Sequence, residues 1–576
     1  MKKINLKQVF MLAIVIVIFG AVTVFAEQSA AEKNAAGLGL LTLVPPLIAI
    51  VLAFITKNVV LSLILGVLSG TLILSISSEG FAAGIVHGLL DVVSRLVGSL
   101  SDPWNAGVIM QCLAIGGMIA LISKMGGTKA IAEALAKRAK SPRSAQIVTW
   151  LLGLFVFFDD YANSLIVGPI MRPITDKMKV SREKLSFIVD ATAAPVTGLA
   201  IISTWVGLEL SLIKEGYESI GVQADAVGIF LNTVPFRFYN LFILIFIVLT
   251  IYMMREFGSM HDAEMRARTT GKVLRDGATP MLAQDDESLE PKEGIKLKVS
   301  NALIPVLVLL IGALAGFYYN GYNAIMGGED EALKAIIQNS PASFAAIRET
   351  FAKADASIVL FQSALAASIV AMIMGVTSKI FTVKEAIDTW VEGVKSLVIT
   401  AVILILAWSL SSVVKELGTA HFLTNALKGN MPPFLLPTII FVMASVISFA
   451  TGTSYGTMSI LMPLAIPLAY GINPEYSYMI LSISAVLTGA IFGDHCSPIS
   501  DTTILSSMGT SCDHIDHTKT QMTYALVVAG VSIFFGYLPA SLGLPIYIVL
   551  PLGVVVMAVI LRIFGKKVPE FVDSKR

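Results

Sequence analysis

Trp150-Leu151-Leu152-Gly153-Leu154-Phe155-Val156-Phe157-Phe158-Asp159-Asp160-Tyr161-Ala162-Asn163-Ser164 is an apolar run interrupted by two carboxylates and an amide, and its reading decides the fold. Before it, segment 124–143 carries Lys124, Lys129, Lys137, Arg138, Lys140 and Arg143; after it, segment 172–184 carries Arg172, Lys177, Lys179, Arg182 and Lys184. Basic segments beside apolar runs stay in the cytoplasm. The apolar stretch 144–171 therefore starts and finishes on the same side of a membrane, and a single crossing is excluded. Broken at Asp159-Asp160, each half has about 14 residues, roughly 21 Å as helix, which is too short to span. A re-entrant hairpin fits, with an irregular tip that is tolerated at membrane depth only when buried in protein or facing a water-filled cavity.

The surrounding chain makes lipid the solvent. Of its 576 residues 55% are hydrophobic and 14% charged, with a mean hydropathy of +0.80, far from the mixture of a soluble domain. Apolar runs at 39–56, 59–76, 105–124, 185–203, 236–254, 300–319, 357–378, 397–416, 476–493, 524–542 and 545–563 predict about 11 crossings. The expected place is a bacterial cytoplasmic (inner) membrane, with lipid as a partner. A formal net charge of +1 gives no ground for a nucleic-acid partner. Cys112, Cys496 and Cys512 cannot form a disulfide framework. Lys2, Lys3 and Lys7 precede an apolar stretch to Val24, so residues 1–26 read either as a cleavable signal peptide or as a first helix.

The second half shows the same design reversed. Segments 417–433 and 470–478 flank the apolar stretch 434–469 and carry only Lys428 between them, which places a second hairpin's base outside. Pro169 and Pro173 fall on Pro463 and Pro467, Tyr161 falls on Tyr455 with the same offset, and Thr197-Gly198 falls on Thr488-Gly489. An inverted-topology repeat follows, the design in which many secondary transporters hold their substrate at discontinuous helices. The expected division is a first repeat over 37–254, a cytoplasmic linker over 255–298, a second repeat over 299–543 and a last helix with its tail over 544–576. Segments 80–98 and 382–396 read as helices lying at the interface.

Charged and hydroxyl groups mark the chemistry. An ionised carboxylate at membrane depth costs several kcal/mol, so Asp159 and Asp160 need a partner or a task, unless the tip merely reaches the far aqueous surface. The equivalent tip, Thr451-Gly452-Thr453-Ser454-Tyr455-Gly456-Thr457, is uncharged but rich in oxygen, the ligand atom of hard cations. In Gly493-Asp494-His495-Cys496-Ser497-Pro498-Ile499-Ser500-Asp501-Thr502-Thr503, glycine, proline and hydroxyls interrupt a helix. Unwinding there would free carbonyls to join Asp494 and Asp501 as cation ligands, although both could also serve as helix caps. Its counterpart is Ser203-Thr204-Trp205-Val206-Gly207, with Trp205 read as a packing residue. A carboxylate withdrawn from water favours its protonated form and can exchange a proton for a metal ion, the physical requirement of antiport. His495 could relay or tune that proton. Asp190, inside a predicted crossing, has either a structural hydrogen bond or a transport role. Cys512, His514 and His517 read as solvated loop residues. The chain has no phosphate loop for ATP.

On the motifs Phe158-Asp159-Asp160-Tyr161-Ala162-Asn163, 451–457 and 493–503, the chain resembles the NhaC-type Na⁺/H⁺ antiporter family of the wider ion-transporter superfamily. The resemblance implies an all-α polytopic protein with two re-entrant hairpins, two broken helices and Na⁺/H⁺ exchange. In that reading Asp159, Asp160 and Asp494 contribute the titrating carboxylates, and Asn163, Thr453, Ser454, Ser497, Asp501 and Thr502 contribute oxygens. Asp190, Thr204 and Thr451 form a second tier. Adjacent helical residues diverge by about 100°, which favours Asp160 over Asp159 as the one pointing at the ion. The partners are then Na⁺ and H⁺, with a homodimer as the assembly considered, no cofactor, no metal beyond transported Na⁺ and no enzymatic activity. The alternative is a Na⁺- or H⁺-coupled carrier or exchanger of a small organic acid or amino acid.

Overall fold

A computed structural model describes residues 30–56, 58–136, 139–201, 203–280, 295–427 and 431–570; the expected signal or helix at 1–26 lies outside them. The main helices of the first half are α1 (Val44–Thr56), α2 (Val59–Glu79), α3 (Phe81–Ser101), α4 (Pro103–Lys124), α5 (Pro142–Phe155), α6 (Asp160–Lys177), α7 (Arg182–Ala191), α8 (Val206–Ser219) and α9 (Phe238–Met253). Those of the second half are α10 (Ser300–Gly327), α11 (Ala356–Thr377), α12 (Val383–Ser396), α13 (Val398–Leu417), α14 (Leu436–Thr451), α15 (Ser454–Ile472), α16 (Tyr476–His495), α17 (Asp501–Thr510) and α18 (His514–Ser532), followed by α19 (Ile546–Phe564). Among the described residues the sheet content is one two-stranded ribbon, β1 (Arg255–Glu256) paired antiparallel with β2 (Lys566–Lys567).

The protein is a multi-pass membrane protein: among the described residues 12 helices are long and apolar enough to cross. Two of these, α14 and α15, are arms of a hairpin, and the pair α5/α6 forms the other. The segment expected to lie at the interface over 80–98 is the longer α3, which meets the crossing criterion by length and apolar content. It runs back along α2, with Gly84 against Ile76 and Gly88 against Leu72. Its counterpart α12 is shorter and opens with a reciprocal cap, in which Thr382 accepts from the Glu385 N–H and Glu385 accepts from the Thr382 N–H.

Prolines set the two breaks. A proline ring clashes with the carbonyl four residues earlier, and α7 ends at Ala191, four residues before Pro195. A short helix, Ala194–Thr197, precedes the non-helical residues 198–201 and 203–205, and α8 then resumes. In the second half α16 stays helical through His495, so Gly493, Asp494 and His495 sit in its last turn, and the break is confined to 496–500 around Pro498.

The halves interlock. The second arm of the first hairpin packs on the second repeat's broken helix: Ser164 of α6 bonds Ser506 of α17 at 3.0 Å, and a Cβ on Gly168 would stand 2.8 Å from the Gly509 carbonyl carbon. Only glycine at both positions lets these backbones meet. The second arm of the other hairpin reaches back in the same way, with Ile466 of α15 against Gly216 of α8. At the expected cytoplasmic end, Arg182 ties Asp176 to the carbonyls of Thr510 and Ser511. A strap over 271–280 crosses the same end, with Thr279 donating to Asp513 and Arg275 paired with Asp516 at 2.9 Å.

Candidate functional site

Both hairpin tips and both breaks meet at one cavity of about 710 Å³, lined at its centre by Asp159, Asp160, Thr204, Trp205, Ser454 and Asp494. It continues to Asn58 before the start of α2 and to Ser396 at the end of α12. Asp159 and Asp160 are 7% and 6% exposed and Asp494 2%, so each carboxylate is nearly withdrawn from solvent. Such groups persist only when paired or hydrogen-bonded.

The partners of Asp160 and Asp494 come from the facing element, tip or break, of the same repeat. Asp160 Oδ1 accepts from Trp205 Nε1 at 3.2 Å. Asp494 Oδ2 accepts from the Ser454 hydroxyl at 2.7 Å and from the Ser454 N–H at 3.2 Å. Asp494 Oδ1 is buried and has no hydrogen-bond partner among the described residues. The Tyr161 hydroxyl donates to Asp501, and the equivalent Tyr455 hydroxyl donates to the Thr204 carbonyl at 3.2 Å. Thr204 N–H reaches the Phe158 carbonyl at 3.0 Å, which stitches the first break to the first tip. The second tip is tighter: Gly452 at φ +67 turns α14 into α15, and a Cβ there would lie 2.6 Å from the Ile499 carbonyl oxygen.

Of the residues singled out in the sequence, Asp159, Asp160, Thr204, Thr451, Thr453, Ser454, Asp494 and Asp501 line the cavity. The Thr453 hydroxyl caps α15 by accepting from Gly456 N–H, and Thr451 bonds within its own helix. The others face elsewhere. Asn163 is a clamp, its amide donating to the carbonyls of Gly153 at 2.8 Å and Thr192 at 2.9 Å. Ser497 donates to the Phe449 carbonyl at 2.7 Å, and Thr502 pairs with Ser500. His495, expected beside the proton path, turns into the core, where Nδ1 meets the Tyr239 hydroxyl at 2.6 Å. Asp190 lies behind the cavity, accepting from Gln521 Nε2 at 2.6 Å. Cys512 and His517, read as solvated, are fully buried, because the N-terminus of α18 is packed under α7 and α17.

Sequence reasoning missed four contributors. Trp205 is a hydrogen-bond donor as well as a packing residue, its ring 5.0 Å from that of Tyr455. Tyr161 and Tyr455 were legible only as a matched pair in the repeat. Arg237, fully buried, joins Glu209 at 2.7 Å and the Gly198 carbonyl, and so holds the first break open. Its signal was a lone arginine beside an apolar run.

Among the described residues no group of three or more His, Cys, Asp or Glu could hold a metal ion. The donor set at the cavity is carboxylate, hydroxyl and carbonyl oxygen, which suits a hard cation such as Na⁺.

A family model described as the Na⁺/H⁺ antiporter family matches residues 1–200 and 196–539. An uncharacterized protein of Haemophilus influenzae is 32% identical over 489 residues, 85% of this chain and 88% of that one. A malate-2H⁺/Na⁺-lactate antiporter of Bacillus subtilis is 37% identical over 89 residues, 16% of this chain and 18% of that one. The YdaH transporter of Alcanivorax borkumensis has a similar fold, with a TM-score of 0.51 at 14% identity over 80% of this chain and 90% of that chain.

Proposed function

The chain belongs to the Na⁺/H⁺ antiporter family and is a secondary transporter, and from that premise we propose that it exchanges Na⁺ for H⁺ at the cavity where tips and breaks meet. The observation that carries the reading is Asp494: one oxygen is satisfied by Ser454, and the other is buried with no hydrogen-bond partner among the described residues. A bare carboxylate oxygen in such a place is completed by a proton or by a cation, one at a time. Asp160, bonded by Trp205, is the second exchangeable carboxylate, Asp159 beside it adds negative charge, and hydroxyls and carbonyls of both tips supply neutral oxygens. The test is proton movement in reconstituted vesicles when Na⁺ is added against a pre-formed pH gradient. Na⁺-dependent proton release is expected, and its absence overturns the reading.

A second reading is exchange of a small carboxylate together with Na⁺ and H⁺. It is favoured by a cavity of about 710 Å³, larger than one cation needs, and by the local match to a malate and lactate antiporter. A requirement for added organic acid in the same assay selects it.

A further inference from the structure

Helices α9 and α19 end at the face expected to be cytoplasmic, and the two-stranded ribbon joins their ends. Arg255 stands opposite Lys567, and Glu256 opposite Lys566. The ribbon is firmly held. Val568 N–H reaches the Met254 carbonyl at 2.9 Å, and Arg255 Nη1 donates to the Arg562 carbonyl at 3.1 Å and to the Gly565 carbonyl, at the end of α19. Gly565 permits this approach, since a Cβ there would stand 3.1 Å from Arg255 Cβ. Nearby acids are committed elsewhere. Glu256 turns into the core, where it pairs with Lys184 of α7 at 2.9 Å and accepts from the Tyr524 hydroxyl. Glu570 lies 3.8 Å from Arg143. Residues directly opposite in an antiparallel pair share a face, and like charges there repel; Arg255 and Lys567 are such a pair. Arg562, Lys566 and Lys567 are exposed, and among the described residues no acidic side chain forms an ion pair with any of these cations. The ribbon carries uncompensated positive charge.

We infer that this ribbon is a binding site for an acidic phospholipid of the inner leaflet, whose phosphate is held by Lys566, Lys567 and Arg562. Depth points the same way as charge. Tyr252 is 80% exposed in the last turn of α9, and Phe564 is 67% exposed in the last turn of α19. Aromatic rings so placed lie at the headgroup level of a bilayer, and the lysines follow Phe564 by two and three residues, where the phosphates of the same leaflet stand. A soluble anion makes no use of the two rings, whereas a diacyl lipid meets rings and cations together. The carbonyl end of a helix carries partial negative charge that repels a phosphate. Arg255 offsets that charge at α19 and leaves the exposed lysines to the ligand. Basic groups at the cytoplasmic ends of spanning helices attract acidic headgroups, by roughly fivefold in affinity for each cation. Glu256 of the same ribbon grips Lys184 in the first turn of α7, so the bound lipid adds to a fastening between the last helix and the helix that leads into the first break.

The test is tryptophan quenching in lipid nanodiscs holding the full-length protein with Tyr252→Trp, from which the signal of the unsubstituted protein is subtracted. Brominated phosphatidylglycerol or brominated phosphatidylcholine is titrated into unlabelled phosphatidylcholine. Phosphatidylglycerol is expected to quench at a mole fraction about 10- to 100-fold lower than phosphatidylcholine. Lys566→Gln combined with Lys567→Gln should shrink that preference by at least about fivefold, and Lys566→Arg combined with Lys567→Arg should retain it. Both lysines are exposed, so these variants should keep the fold, which an unchanged unfolding temperature in phosphatidylcholine alone would verify. A third arm adds inorganic phosphate to the phosphatidylglycerol sample and should leave the quenching in place. Equal quenching by the two lipids, an unaltered preference in the glutamine pair, or relief of quenching by inorganic phosphate overturns the inference, the last by giving the site to a soluble anion. Transport plays no part in the measurement.

Discussion

The two hairpin tips occupy equivalent places, yet they divide the chemistry oppositely. In the first, the carboxylate stands on the tip, at Asp160, and the donor stands on the broken helix, at Trp205. In the second, the donor stands on the tip, at Ser454, and the carboxylate stands on the broken helix, at Asp494. Carboxylate and donor have changed places between the repeats while the tyrosines have not: Tyr161 and Tyr455 each reach the opposite repeat's break. The difference teaches that the repeat conserves a geometry, tip against break, and leaves open which side bears the charge. One consequence is that the site holds two carboxylate positions facing the same space from different elements, so a movement of either hairpin changes their separation.

The comparison is broken most directly by removing one carboxylate at a time. Asp494→Asn and Asp160→Asn are each expected to abolish Na⁺-driven proton movement in vesicles; retention of flux in either variant would show that only one repeat carries the exchange. Removing the donors comes next. Trp205→Phe and Ser454→Ala each delete a hydrogen bond to a charged group, worth about 1.5–3 kcal/mol, so apparent Na⁺ affinity should weaken by about 10- to 100-fold in the concentration dependence of flux. Equal losses sharpen the exchange of roles, and an unequal loss identifies the dominant carboxylate. The tight second tip gives a third contrast: Gly452→Ala places a side chain at φ +67 and against the Ile499 carbonyl. It should lower stability by about 1–3 kcal/mol, seen as a lower unfolding temperature. The smallest effect is expected from Tyr455→Phe, whose hydroxyl serves a neutral carbonyl. A loss of about 0.5–1.5 kcal/mol corresponds to a few-fold change in flux, less than that of Tyr161→Phe, whose partner is the Asp501 carboxylate.

Charge placement made the hairpins legible, since basic residues on both flanks of 144–171 admit no single crossing. Matched prolines and tyrosines made the repeat legible in the same way, because their spacing survives when most side chains do not. Direction of side chains was not legible. His495 follows Asp494 by one residue, and the helical rotation of about 100° that sends Asp494 into the cavity sends His495 to Tyr239. Asn163 lies three residues beyond Asp160 and clamps backbone carbonyls of α5 and the first break, an assignment that depends on which helix passes beside it. Polar composition at 511–517 resembled a loop because much of its burial comes from α7 and the 271–280 strap, distant in sequence. The break at 496–500 is narrower than the 493–503 stretch read from the sequence, because glycine at 493 only permits unwinding whereas Pro498 compels it.

The interlock between halves has a cost in time. Ser164 finds Ser506 across 342 residues of chain, and at synthesis rates of about 5–20 residues per second that interval is roughly 20–70 s. For that period the first hairpin must wait in the bilayer with Asp160 and Tyr161 lacking the tip and break that later enclose them. Nascent chains of this protein are thus most exposed to quality-control proteases between the two halves of their own synthesis.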